Sequence, residues 1–83
     1  MTALYVLDVP EFAPLADAAT AETPITRTRV GPYLKVAADG EIVIGRAATS
    51  FRDAVWFSVL GGGYDGDLLR YDADEIRIAP AHR

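Results

Sequence analysis

The chain has no cysteine and a single histidine, His82, beside its last residue. The first absence excludes a disulfide framework and any thiolate metal site. The second excludes a zinc centre built from histidines. A histidine in a terminal tail is also poorly held for general-base work. Lysine occurs once, at Lys35, and the 8 basic residues are outnumbered by 12 acids, giving a formal net charge of −4. Nucleic-acid backbones are gripped by clustered Lys and Arg, so no nucleic-acid partner is expected. No apolar run approaches the roughly 18–20 residues of a membrane span. The opening Met1-Thr2-Ala3-Leu4-Tyr5-Val6-Leu7-Asp8 lacks the cationic start and cleavage site of a secretory signal, and reads as the first strand of a cytoplasmic protein.

What is present is a chain of 83 residues that is 51% apolar, enough for one domain over residues 1–83. Seven of the eight basic residues are Arg and alanine is the commonest residue, as in proteins of GC-rich bacterial genomes. A domain this small has a thin stability margin, and without disulfides or metals it often gains burial by association.

Leu4 to Val9 is a run apolar at every position but Asp8 and ended by Pro10, the pattern of a strand buried on both faces. Asp8 and Glu11 have capping-box spacing, and Pro14 suits the first position of a short helix with Leu15, Ala18 and Ala19 inward. Pro24 to Ala38 reads as extended and bent at Gly31-Pro32, with Ile25, Arg27 and Arg29 on one side. Tyr33–Ala37 and Glu41–Gly45 predict a hairpin through the three-residue loop Ala38-Asp39-Gly40. That register sets Leu34 opposite Ile44 and Val36 opposite Ile42, with Gly40 left-handed. Phe51–Leu60 carries helix punctuation at both ends, with Ser50 and Asp53 as a capping box and Gly61 as a stop, although its aromatic and β-branched content suits a strand. Asp67–Tyr71 and Glu75–Ala79 read as a last hairpin turning at Asp72-Ala73-Asp74. The expected fold is therefore α+β, a small mainly antiparallel sheet with two short helices, compatible with a ferredoxin-like βαββαβ arrangement plus an extra strand.

The functional signal lies in Val55-Trp56-Phe57-Ser58-Val59-Leu60. As helix or as strand, this stretch carries more apolar surface than one small domain easily covers, and aromatic anchors dominate protein interfaces. Val55, Trp56, Phe57, Leu60 and the nearby Tyr64 are the candidate interface residues. Catalysis has less support. Ser50 reads as a cap and Ser58 sits in apolar surroundings, so no Ser or Cys nucleophile has a visible base and orienting group. The run Gly61–Asp67 lacks the Lys and the following helix of a phosphate-binding loop. It partly resembles a calcium-binding repeat, but Asp65 stands where that repeat has Gly, and such repeats act in arrays. It reads as a connection from helix to strand, and neither cofactor nor metal is expected. Arg27 and Arg29 read as surface ion-pairing residues.

The expected role is a non-catalytic accessory or assembly subunit, a homo-oligomer or the small partner of a larger bacterial enzyme. A ligand-binding domain with a pocket lined by Tyr33, Trp56 and Phe57, and an acidic immunity-like or antitoxin-like protein meeting a basic partner, are the alternatives.

Overall fold

In the computed structural model, which describes residues 1–81, the chain opens with β1 (Thr2–Leu7), a 3-10 turn at Pro10–Phe12 and α1 (Ala13–Ala18). Strands β2 (Ala19–Thr20), β3 (Thr26–Val30), β4 (Tyr33–Ala38) and β5 (Ile42–Gly45) follow. Two single-turn helices, α2 (Arg46–Thr49) and α3 (Asp53–Trp56), then lead through a second 3-10 turn at Val59–Gly62 to β6 (Tyr64–Asp65), β7 (Asp67–Tyr71) and β8 (Glu75–Ala79). His82 lies outside the described residues.

The strands divide into two four-stranded antiparallel sheets, ordered β3-β4-β1-β6 and β2-β5-β8-β7. The α+β class and the antiparallel pairing hold. The strands form two sheets with no strand in common, so the single split sheet of a ferredoxin-like fold is not confirmed. β1 takes a central place because both of its faces are covered, with Thr2, Ala3, Leu4 and Val6 all buried.

β3 and β4 form a tight hairpin, with Val30 opposite Tyr33 across Gly31-Pro32. Gly31 has φ +58, and a left-handed first loop residue followed by proline matches the twist that two-residue hairpins require. The expected hairpin between β4 and β5 does not form. Leu34 lies between Val6 and Arg29, whereas Ile44 lies between Ala19 and Ile76. Residues 39–41 carry the chain from one sheet to the other, and Gly40 is not left-handed. The reason is the supply of better partners. Ile42 and Ile44 pair with Ile78 and Ile76, and all four, with Val36, are fully buried. A local hairpin would leave those isoleucines in one layer with no apolar layer facing them.

Leu15 of α1, Trp56 of α3 and Val59 join Leu4, Val6 and the isoleucines in one cluster. Segment 51–60 is broken, with four residues of helix and then a 3-10 turn. Neither expected capping box forms. Val9 and Arg52 occupy the N-cap positions without side-chain bonds, and Ser50 is instead the left-handed end of α2. Asp53 is drawn away by the Arg46 guanidinium, which also reaches the carbonyls of Phe51 (3.1 Å) and Ala73 (3.3 Å). Aromatic and β-branched residues give the helix little intrinsic support, so these tertiary bonds decide its length.

Two of the glycines after this segment, Gly62 and Gly66, are demanded by close packing. A Cβ on Gly62 would stand 2.3 Å from the Tyr5 carbonyl oxygen, where the 3-10 turn crosses the backbone of β1. Gly63, at φ +93, accepts a hydrogen bond from the Tyr5 amide at 3.0 Å. Gly66, at φ +131, sits where β6 passes into β7, and a Cβ there would meet the Ala79 carbonyl oxygen at 2.3 Å. The glycine run is thus a packed joint between the sheets.

Candidate interaction surface

β7 is the outermost strand of its sheet and contains a bulge between Leu68 and Arg70. Side chains of a regular strand alternate, so Leu68 inward would force Tyr71 outward. The extra residue, Leu69, resets that alternation. Leu68 stands opposite Ile78 and Tyr71 opposite Ile76, on the side of the core, although Leu68 at the strand edge stays exposed, while Arg70 stands opposite Arg77 on the outer face. Leu69 belongs to neither set and is left 56% exposed.

At the far end of this strand the ring of Tyr71 touches two aromatics. Trp56 meets it edge-on at 6.3 Å and Phe57 lies tilted against it at 5.8 Å. The two neighbours have opposite fates. Trp56 is fully buried, its indole nitrogen donating to the Asp72 carbonyl at 2.6 Å and its own carbonyl accepting from the Tyr71 hydroxyl at 2.7 Å. Phe57 is 52% exposed.

The expected interface residues are therefore divided. Trp56 belongs to the core and presents no surface, a correction that follows from its satisfied indole and its place against Tyr71. Leu60 is half-buried against the same core, and Val55 is half-buried. Phe57 and Tyr64 are exposed, Tyr64 on β6 at the edge of the other sheet. Leu68 and Leu69 were missed. The signal was present in the sequence: two adjacent leucines in a short strand cannot both face the core without an irregularity.

A second apolar area lies at one end of the sheet that holds β1. Leu7, Tyr33 and Val30 form a row across three strands, with Leu7, Val30 and the following Val9 exposed. Beside it are two shallow grooves of about 200 and 250 Å³. Tyr33 lines the larger with Phe12, Val59 and Gly62, but Trp56 and Phe57 do not. The pocket expected from Tyr33, Trp56 and Phe57 together is not formed, because Trp56 turns into the core. Both grooves fall below the roughly 300–1,000 Å³ usual for small-molecule sites.

Charges on the sheet surfaces are arranged in chains. On the outer face of the second sheet, Asp72 accepts from Arg70 (2.5 Å), Arg70 reaches Glu75 (3.1 Å), Glu75 accepts from Arg77 (3.2 Å), and Arg77 reaches Glu41 (2.9 Å). The Arg70 guanidinium, helped by the Asp74 amide, holds the Asp72 carboxyl below its usual range, and Arg77 does the same for Glu75. Arg27 pairs with Asp17 at 2.9 Å and Arg29 with Asp8 at 3.6 Å. These arginines tie β3 to the α1 region, not to a neighbouring strand.

Chemistry at these positions is limited. The Ser58 hydroxyl donates to the Val55 carbonyl at 2.8 Å, and Asp65 accepts from the Tyr5 hydroxyl at 3.0 Å. Among the described residues no three His, Cys, Asp or Glu side chains converge to hold a metal ion, and no helix is long and apolar enough to cross a membrane. No protein-family model and no curated protein matches the chain.

Proposed function

We propose that this protein is a non-catalytic interaction module that works by packing against another polypeptide chain. The observation that carries the reading is the exposure of Phe57 and Leu69 beside the open edge of β7. Large apolar groups at a strand edge are an aggregation hazard unless a partner covers them. Nearby charges are paired within the chain, Arg70 with Asp72 and Glu75, so the exposed apolar side chains are the groups left for a partner to cover. The same pairing gives an acidic, immunity-like role less to work with, because Asp72, Glu75 and Glu41 each face an arginine of their own chain.

The test compares wild type with Phe57→Ser by light scattering and by affinity purification from the native host. Wild type is expected to be an oligomer or to retain one chain in fixed stoichiometry, and Phe57→Ser to lose it while keeping its unfolding midpoint. A wild-type protein that stays monomeric at high concentration and retains no chain in fixed ratio overturns the reading.

A further inference from the structure

We infer that the chain packed against β7 is a second copy of this protein, joined edge to edge with the two β7 strands antiparallel. The inference rests on the interaction role proposed above and names its partner. Four strand edges are open to comparison, and three are poorly suited. β2 and β6 are two residues long. β3 has the sequence Thr-Arg-Thr-Arg-Val, and antiparallel self-pairing about Thr28 would set Arg27 opposite Arg29 of the second copy, a like-charge pair.

β7 reads Asp-Leu-Leu-Arg-Tyr, and its first four residues are complementary to themselves when reversed. With a two-fold axis between Leu68 and Leu69, Asp67 of each copy faces Arg70 of the other, and the bulged Leu69 side chains of the two copies lie at the centre. For the charged pair the faces agree as well as the order. Arg70 lies on the outer side opposite Arg77, and Asp67 precedes the inward Leu68 by one residue, so it lies on the outer side too. Two opposite-charge pairs would flank a central leucine group, each charge keeping its partners within its own chain. A symmetric contact of this kind uses one patch twice and closes on itself, giving a dimer and no fibre. The bulge, which commonly guards an edge, here places an apolar side chain outside the ladder.

Because the protein contains no cysteine, a single introduced thiol reports position cleanly. Sedimentation of the full chain is run on wild type and Leu69→Lys, and a short bis-maleimide is applied to Leu69→Cys and Val30→Cys. Wild type is expected to sediment as a dimer. Leu69→Lys should weaken the dimer by about tenfold or more, as loss of a central interface side chain does, with its unfolding midpoint in dilute solution unchanged. Leu69→Cys should cross-link to a covalent dimer and Val30→Cys should not. A dimer that cross-links through Val30→Cys, or that survives Leu69→Lys intact, overturns the β7 interface but leaves the interaction role standing. A wild-type monomer at all concentrations overturns self-association, and the Phe57→Ser purification then decides whether a different chain is bound.

Discussion

Trp56 and Tyr71 hold each other in two ways, through a 2.7 Å hydrogen bond from the phenol to the tryptophan carbonyl and through edge-on contact of their rings. The indole is also anchored at Asp72, so one residue of a single-turn helix fixes the β7–β8 turn. Trp56→Ala is expected to cost about 3–5 kcal/mol, a large fraction of what so small a domain has. Urea unfolding followed by circular dichroism measures it, since Trp56 is the only tryptophan.

Tyr71→Phe removes only the hydroxyl and should cost about 1 kcal/mol. Burial raises the Tyr71 phenol above its ordinary value. The neutral phenol therefore contributes stability fully below about pH 10, and that contribution is lost as pH climbs through the raised value. The variant should lack this alkaline loss, which tryptophan fluorescence can follow.

Asp72 combines two duties. Its Oδ1 accepts from the amides of Asp74 (2.9 Å) and Glu75 (3.0 Å), and its Oδ2 from Arg70. Both Asp72 and Glu75 have lowered folded-state values. Their contribution is therefore present above the unfolded values near about pH 4 and is lost as pH falls through the lower folded ones. Asp72→Asn keeps the acceptor for the turn and removes the charge, so it should flatten the acid limb of a stability–pH curve. Asp72→Ala should lower stability across the whole range.

Glycine substitutions separate packing from flexibility. Gly62→Ala and Gly66→Ala each drive a methyl group into a carbonyl oxygen and should cost about 1–3 kcal/mol or more. At Gly61 a Cβ meets nothing and φ is not left-handed. Gly61→Ala should then be neutral or stabilising by up to about 1 kcal/mol. If the run were a loose linker, all three would behave alike in thermal unfolding.

Thr2 is fully buried and its hydroxyl has no hydrogen-bond partner among the described residues. Replacing it by the similarly shaped valine removes the desolvation penalty and should raise stability by about 1 kcal/mol. Denaturant midpoints of Thr2→Val and wild type are the comparison.

Strands bounded by clear turn residues were legible. β1, and the β7–β8 pair with its Asp72 turn, follow from apolar runs bounded by proline and aspartate, although β4 and β6, the partners of β1, lie far along the chain. The β4–β5 connection was not, because Leu34, Val36, Ile42 and Ile44 satisfy a local hairpin pattern as well as a two-sheet one. Only the isoleucines of β8, more than thirty residues on, break the tie. Segment 51–60 misled through its punctuation. Ser50 and Asp53 have the spacing of a cap, yet Arg46 claims the aspartate. The surplus of apolar surface was legible, but its location was not: Trp56 went inward because Tyr71 and Asp72 could satisfy its ring and its nitrogen.

Gly66 joins β6 to β7 with a single residue, so one short stretch of backbone borders both sheets at once. Neither layer can peel away without pulling the other's margin with it. The consequence is cooperativity: amide hydrogens of β1 and β8, though in different layers, should become exchangeable in the same opening event, and the domain should melt as one unit.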